Sequence, residues 1–407
     1  MSLFLLPYPR PLAVILLLFA GLTACQRTPS EGATGASPVL EDRIDEIFAL
    51  AQTKYLAAAT TLDTAAGLPR NAWDDGSWRQ VDREDWTSGF FPGILWQVYR
   101  YTEDEEVLAQ ARKWTETLRA NQTYDRNHDI GFIMYSSFGN ALELTGDTAA
   151  YLAPLLTAAR TGAGRFSEQT GTIRSWDQAD TNHLTIIDNM MNLHLFTFAA
   201  RQTGDSSYLS MVRSHADRTD AEHFRADGSS YHVVDYYPQG GGARSKFTHQ
   251  GAADDSQWAR GQAWAIYGFT EMYEDLGDPA YLDRAVSAAD YFIDRLPADT
   301  IPYWDFDAPG LPDEEKDASA AAIAASALLR LAPATGQDKY RQAAIRLLTA
   351  LSSDNYLAGE DDRMGGLLRH QTGNKPYQGT DRERELDVNI NYGDYYYLEA
   401  LNRLVAQ

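Results

Sequence analysis

The 407-residue sequence has a single cysteine, and basic residues are scarce beside acidic ones. One cysteine cannot close an internal disulfide, which excludes a disulfide-stabilised scaffold. The 35 basic and 57 acidic side chains give a net charge of −22, a sign that opposes binding to a nucleic-acid backbone. No apolar run beyond the first 25 residues is long enough to cross a bilayer, which excludes a multi-span transporter. Because 44% of the residues are hydrophobic, the sequence predicts a globular protein with a large core. The negative net charge predicts that nucleic acid is not a partner.

The N-terminal segment has the features of a secretory signal. An apolar run over residues 11–22 is too short for a spanning helix but suits a signal peptide. The only cysteine closes this segment, and Leu22-Thr23-Ala24-Cys25 resembles the lipobox of a bacterial lipoprotein. A buried free thiol is the alternative for Cys25.

These features predict a signal peptide over residues 1–24, lipid attachment at Cys25 and a flexible polar tether over residues 25–39. Gln26 after the cysteine resembles the signal for sorting to the outer membrane. We therefore expect a lipid-anchored protein of a Gram-negative cell envelope, at the outer membrane or in the periplasm, that meets the membrane only through this anchor.

Short connectors recur along the rest of the chain, each between two helical patterns. Glycine, present in four of the five, suits the left-handed position at the end of a helix, and the aspartate that follows can cap the next helix. Helical hairpins are therefore the expected unit of the fold. The connectors begin at Thr102, Thr145, Thr203, Leu276 and Thr335.

The helix before each connector is apolar nearly all round and the helix after it is amphipathic, which indicates alternating inner and outer helices. About six hairpins fit between residues 43 and 404. We therefore predict an all-α (α/α)6 barrel, a six-hairpin toroid, in a single domain over residues 40–407. Short connectors gather at one rim, so the long segments form the opposite rim, where functional loops are expected. These segments are 121–135, 164–187, 224–257, 297–317 and 353–393.

Two aspartates stand at the mouths of apolar inner helices. Asp188 follows an apolar triplet, and burial there is expected to raise its pKa, as a proton donor near neutral pH requires. A helix cap is the alternative for this residue. Asp129, which follows His128, is the natural second carboxylate. Paired carboxylates are the usual equipment of glycoside chemistry, although 57 acidic residues make a chance pair easy to find.

Aromatic and polar side chains in the long segments are candidates for sugar binding. Indole and phenyl faces stack on the apolar faces of sugar rings, and an arginine beside them suits an acidic sugar. A core or structural role is the alternative for each. No ligand spacing of the His-x-x-x-His type occurs, so we assign no metal or other cofactor. The candidates are Trp86, Phe90, Trp176, Trp264, His232, Gln250 and Arg260.

Several motifs follow one another in order between residues 41 and 404. They include Asp85-Trp86-Thr87-Ser88-Gly89-Phe90, His128-Asp129-Ile130-Gly131-Phe132, Ile186-Ile187-Asp188, Ser230-Tyr231-His232, Thr248-His249-Gln250-Gly251 and Arg260-Gly261-Gln262-Ala263-Trp264. In type and order these motifs resemble those of the unsaturated glucuronyl hydrolases, glycoside hydrolase family 88. The resemblance implies an (α/α)6 barrel that removes 4,5-unsaturated uronic acid from the non-reducing end of polysaccharide-lyase products.

The resemblance also implies roles for the candidate residues. Asp188 is the general acid and base that hydrates the C4=C5 double bond, and Asp129 holds ring hydroxyls. The residues implied to stack on sugar are Trp86, Phe90, Trp176 and Trp264. The residues implied to make polar contacts are His128, His232, Gln250 and Arg260.

The net charge of −22 opposes an anionic substrate at long range, so the pocket itself is expected to be positive. Residues 369–376 are expected to help select the leaving sugar. The candidate positive residues beside Arg260 are Arg244, Lys246, Arg369 and Lys375.

Three other functions remain open. An unsaturated rhamnogalacturonyl hydrolase on the same fold would act on pectin fragments. A sugar-binding surface lipoprotein without catalysis would use the same aromatic platforms and lipid anchor. An inverting hydrolase of saturated glycans would also place two carboxylates in an α/α barrel.

Overall fold

Helices make up most of the computed structural model, which describes residues 40–177, 179, 181–376 and 385–407. Cys25, the predicted signal peptide and the predicted tether lie outside these residues. The inner helices are α2 (Phe90–Thr102), α4 (Ile130–Met134) with α5 (Asn140–Thr145), α7 (His194–Thr203), α9 (Ala259–Leu276), α11 (Ala318–Thr335) and α13 (Asn391–Val405). The outer helices are α1 (Leu40–Thr61), α3 (Glu105–Glu116), α6 (Thr148–Ala163), α8 (Ser207–Glu222), α10 (Pro279–Asp294) and α12 (Asp338–Leu351).

The inner helices form a closed ring. Contacts run from α2 through α4 and α5 to the turn before α7, then to α9, α11 and α13, and α13 packs against α2 again. The two ends of the described chain meet in this way, because α1 packs outside α2, α3 and α12. A mostly helical barrel of paired inner and outer helices is the result, as the sequence predicts.

The connectors have the predicted local chemistry. Each of the five inner helices that precede a connector ends at a residue with left-handed φ, which is Gly146, Gly204, Gly277 or Gly336 in four connectors and Glu103 in the first. Asp104, Asp147 and Asp278 accept hydrogen bonds from first-turn N–H groups of the next helix. Helix α12 differs, because Asp338 is its first residue and Gln337 precedes it without a side-chain cap.

Helix α11 is the most apolar inner helix. Its 18 residues are long and apolar enough to cross a membrane by length and composition, but 78% of them are buried inside the barrel. Because neighbouring helices cover it on all sides, its composition is explained by its central position in the core.

The long segments, where they are described, contain strands that the predicted all-α barrel did not include. They contain three small antiparallel sheets, which pair the buried backbone polar groups that loops would leave unsatisfied. The strands are β1 (Leu68–Ala72) with β2 (Trp78–Val81), β3 (Phe166–Ser167) with β4 (Thr172–Ile173), and β5 (His183–Ile186), β6 (Val233–Tyr236) and β7 (Ala243–Phe247) in the order β5-β6-β7.

Candidate active site

A cavity of about 340 Å³ opens at the rim formed by the long segments. Its lining includes seven of the ten residues predicted to carry catalysis or substrate binding, brought together from five separate parts of the sequence. These residues are Trp86, His128, Asp129, Trp176, Asp188, Gln250 and Arg260.

A second cavity, of about 370 Å³, lies between the inner helices near the rim of short connectors. Its three arginines are already paired with glutamates lining the same space: Arg100 with Glu143, Arg330 with Glu271, and Arg403 with Glu399. We therefore place the chemistry in the first cavity, which gathers the predicted residues and is lined by Asp188, whose Oδ2 has no hydrogen-bond partner among the described residues.

Asp188 is held at the end of strand β5. A 3-10 turn over Ile187–Asn192 follows the strand and replaces the predicted α-helical start, because asparagine side chains bond the local backbone there. Asn189 accepts a hydrogen bond from the hydroxyl of Ser175 at 2.6 Å and donates to the carbonyl of Ile173 at 2.9 Å. Ile186 is the N-cap residue of this turn and Asp188 lies inside it, so Asp188 is not its cap. Among the described residues, Oδ2 of Asp188 has no hydrogen-bond partner.

The ring of His232 lies behind this carboxyl. Its Nδ1 accepts hydrogen bonds from the backbone N–H groups of His249 and Gln250, both at 3.2 Å. The ring proton of neutral His232 is therefore on Nε2, which lies 3.6 Å from Oδ2 of Asp188. Burial lowers the pKa of His232 well below its usual range, so the ring is neutral at physiological pH.

Burial also raises the pKa of Asp188 to about 7. The positive charge of Arg260 and the indole N–H of Trp264 act in the opposite direction and lower this pKa. A carboxyl with such a pKa is protonated in much of the enzyme near neutral pH and can both give and take a proton.

Asp129 belongs to the segment that packs against the turn of Asp188. Its Oδ1 lies 3.3 Å from Nε2 of His128, and Oδ1 of Asn192 accepts the backbone N–H of Phe132 at 2.8 Å. The approach is so close that a Cβ atom at Gly131 would lie 2.6 Å from the side-chain oxygen of Asn192. Burial, and then the charge of Asp188, raise the pKa of Asp129 well above its usual range.

Three predicted substrate contacts are corrected by the structure. Phe90 is fully buried in an aromatic cluster with Phe132, Tyr395 and other rings, so it packs the core and does not stack on a ligand. Trp264 is buried as well and lies outside the cavity lining, whereas Arg260, one helical turn before it on α9, lines the cavity. His232 is enclosed behind Asp188 and lies outside the cavity lining, with its Nε2 near that carboxyl.

Arg260 lines the cavity but is largely occupied by protein groups. It pairs with Asp317 at 2.7 Å and donates to the carbonyls of Thr372 and Gly373. The side chain of Gln250 donates to the same carbonyl of Gly373 at 3.0 Å. Both residues thus hold residues 372–373 at the cavity wall, a role that the sequence pattern does not reveal.

The four positive residues expected to surround the substrate are engaged elsewhere. Each forms an ion pair on or near the surface, which neutralises its charge locally. The pairs are Arg244 with Asp235, Lys246 with Glu222, Arg369 with Asp74 and Asp362, and Lys375 with Glu314 and Glu315. Residues 369–376 nevertheless contribute Gly373 and Asn374 to the cavity wall.

Positive charge reaches the cavity from the β1–β2 hairpin, which sequence reasoning missed. Arg70 binds both carboxylate oxygens of Glu385, at 2.9 and 3.0 Å, and Arg79 binds Oε1 of the same residue at 2.8 Å. The turn between the strands contains Asp75-Gly76, a recognised hairpin signal, and could have revealed the hairpin. The pairing with Glu385, some three hundred residues away, could not be read from the sequence.

Trp86, Trp176, His249 and Trp258 complete the aromatic part of the lining. The cavity thus joins two carboxyl groups of raised pKa, aromatic faces and guanidinium groups, which suits proton transfer to an acidic sugar. Helical barrel and site together define the class of the protein as an α/α-barrel glycosidase.

The chain belongs to Glycosyl Hydrolase Family 88, whose pattern matches residues 58–397. It is 41% identical over 328 residues to an unsaturated glucuronyl hydrolase of Formosa agariphila, covering 80% of this chain and 81% of the relative. It is also 37% identical over 343 residues to an unsaturated glucuronyl hydrolase of Bacillus sp. strain GL1, covering 81% and 89%.

A crystal structure of an unsaturated glucuronyl hydrolase specific for heparin superposes with a TM-score of 0.85 at 39% identity. The superposition covers 90% of this chain and 98% of the other. The resemblance drawn from the ordered motifs is therefore confirmed, and the protein is a glycosidase.

Proposed function

We propose that this enzyme releases 4,5-unsaturated glucuronic acid from the non-reducing end of polysaccharide-lyase products, with Asp188 as general acid and base. The single observation that carries the proposal is the buried carboxyl of Asp188, whose pKa is raised to about 7 at the wall of a positively lined cavity. An ordinary carboxyl is almost fully ionised at neutral pH and cannot serve as an acid.

The first step uses the protonated form of Asp188. The C4=C5 bond of the substrate is a vinyl ether, and its π electrons take the carboxyl proton at C4, which leaves an oxocarbenium ion at C5. The carboxylate formed on Asp188 then faces the N–H groups of His232 and Trp264, which stabilise its negative charge.

The second step uses that carboxylate as a base. Asp188 removes a proton from a water molecule as the water oxygen bonds to C5, which restores the protonated carboxyl and gives a hemiketal. Breaking the bond between C5 and the ring oxygen then leaves a ketone at C5 and a hemiacetal at C1. The hemiacetal expels the remaining sugar as an alcohol, so no covalent bond between sugar and enzyme is formed. We assign Asp129 to the ring hydroxyls beside the reacting carbons.

Isotope labelling tests this route directly. In heavy water, the released uronate is expected to carry one solvent deuterium at C4, because the proton of Asp188 exchanges with solvent before each turnover. Mass spectrometry and proton NMR of the product report the label. Proton delivery by Asp188 is expected to label one of the two C4 positions, as NMR during turnover reports, whereas spontaneous tautomerisation of a released unsaturated uronate labels both. Deuterium in both positions from the start, or cleavage of the matched saturated glucuronide, would show that the glycosidic oxygen is protonated instead and would refute the proposal.

The substrate class separates this activity from that of a rhamnogalacturonyl hydrolase. Unsaturated disaccharides from hyaluronan, chondroitin, heparin and ulvan are expected to be cleaved faster than those from pectin. Faster cleavage of the pectin-derived compounds would support the rhamnogalacturonyl hydrolase activity instead.

The cellular location is a separate proposal. The lipobox ending at Cys25 and the polar residues after it support lipid attachment at that cysteine and a place in the envelope of a Gram-negative bacterium. The reaction does not depend on this anchor, because the residues that carry it lie within residues 40–407.

A further inference from the structure

We propose that Arg79 binds a sulfate ester on the leaving sugar, in a subsite formed with Arg70 and Glu385 at the mouth of the cavity. The inference rests on the proposed function, because it concerns the sugar that is expelled in that reaction. It is carried by the charges and contacts of the β1–β2 hairpin.

The subsite has two guanidinium groups in direct contact with one carboxylate, and the charge of Asp85 acts on Arg70 without a direct ion pair. Arg70 already satisfies Glu385, since its two terminal nitrogens bind one carboxylate oxygen each. Arg79 adds a third bond, from Nη1 to an oxygen that is already occupied. Within the described part of the chain this is the side chain's single bond, so Nη2 and Nε remain available to a ligand.

The hairpin is built to present both arginines. Asn71 pairs with Arg79 across the strands, and an irregularity between Pro69 and Asn71 leaves Arg70 without a cross-strand partner. Irregularities of this kind, called β-bulges, change the direction of side chains and are common beside active sites. Nε of Arg70 is buried and has no hydrogen-bond partner in the described structure.

The depth of the arginines indicates which sugar they meet. Side-chain exposure rises from 1% at Arg260 to 10% at Arg70 and 22% at Arg79, which places Arg79 nearest the mouth. An enzyme that removes a terminal residue holds that residue deepest, beside Asp188, so the leaving sugar lies toward the mouth. In an alternating polysaccharide this second sugar is not a uronate, and its fixed negative charge is a sulfate ester.

Guanidinium groups suit sulfate because they donate parallel hydrogen bonds to two oxygens of one anion. The basic residues that were predicted from the sequence to make the cavity positive, including Lys375, are already paired with acidic side chains. Since the whole protein carries −22, a guanidinium group with free N–H donors at the cavity is what an anionic substituent requires here.

Matched substrates test the subsite. We would measure kcat/KM for unsaturated glucuronic acid linked to N-acetylgalactosamine with and without a 6-sulfate, and linked to rhamnose with and without a 3-sulfate. For the sulfated compound that the wild type prefers, Arg79→Gln is expected to lower the sulfated-to-unsulfated ratio about tenfold or more, as loss of a charged hydrogen bond would. Arg79→Lys keeps the charge and is expected to retain part of the ratio.

Arg244→Gln is the matched control, because Arg244, like Arg79, pairs with one acidic side chain but lies outside the cavity lining. Its ratio is expected to equal that of the wild type. An unchanged ratio in Arg79→Gln, or a wild type that cleaves only the unsulfated member of both pairs, overturns the subsite while the proposed function stands. A wild type that cleaves none of the four compounds, and none of the unsaturated disaccharides from hyaluronan and heparin, overturns the proposed function itself.

Discussion

The pH dependence of catalysis follows from the burial of Asp188. Burial raises the pKa of this carboxyl from 3.8 to about 7, a change of about three units that corresponds to about 4 kcal/mol. At pH 7 an unperturbed aspartate would be protonated in on the order of 0.1% of molecules, whereas Asp188 is protonated in about half. Burial therefore increases the population of the proton donor several-hundredfold.

We expect kcat/KM to be level near pH 6 and to fall about tenfold for each pH unit above about pH 8, as Asp188 loses its proton. Trp264→Phe removes an N–H group that lowers the pKa of Asp188, so the alkaline limb is expected to move to higher pH. A variant that only weakened the packing of the core would lower kcat/KM without shifting the pH at which kcat/KM begins to fall.

Asp188→Asn keeps the size of the side chain but removes the proton donor, and kcat is expected to fall by about 10²- to 10⁴-fold with substrate binding retained. Asp129→Asn is expected to impair both binding and turnover, because that residue is assigned to the ring hydroxyls. Initial rates can be followed by the loss of ultraviolet absorbance of the conjugated double bond. Near-normal turnover in Asp188→Asn, or a wild-type rate that is flat from pH 6 to 9, would falsify the assigned role.

Two further predictions concern stability and location. Burial lowers the pKa of His215 to about 3 and that of His223 to about 4, so below about pH 6.5 the unfolded chain binds protons that the folded protein does not. Each ring is expected to reduce the free energy of unfolding by about 2 kcal/mol between pH 7 and pH 5. Because protonation of Asp188 in the folded protein acts in the opposite direction, the test compares His223→Gln with the wild type, and the same change of urea midpoint between the two pH values in both proteins would contradict this. Cys25→Ala is expected to release the protein from membrane fractions; recovery of soluble wild type with an unmodified cysteine would contradict the lipid anchor.

Local patterns in the sequence were sufficient for the helical framework. Each connector combines a residue suited to left-handed φ with polar groups for the next helix, and both effects act over a few residues. The alternation of fully apolar and amphipathic helices then places inner and outer layers, because burial follows from composition. Asp188 was identified in the same way, since an aspartate beside an apolar inner segment is necessarily desolvated.

The exposed or buried state of individual site residues required the tertiary structure. Phe90 and Trp264 carry the right chemistry for a sugar platform, but their depth along α2 and α9 places them in the core. His232 has the right chemistry for a substrate contact, but the two N–H groups that bind its Nδ1 orient its proton toward Asp188. Differences of one helical turn or of one ring orientation cannot be predicted from the spacing of residues in the sequence.

The sequence by itself determined the family, the helical barrel and the pair of carboxyl groups, because these depend on local periodicity and on ordered motifs. Tertiary structure alone decided where the positive charge of the cavity comes from. Lys375 and Arg70 are both basic residues in loops or strands near the rim, yet one is paired at the surface and the other lines the cavity with Glu385. Electrostatic interactions act through space over a few ångströms, and which charges come that close is set by the folding of distant segments.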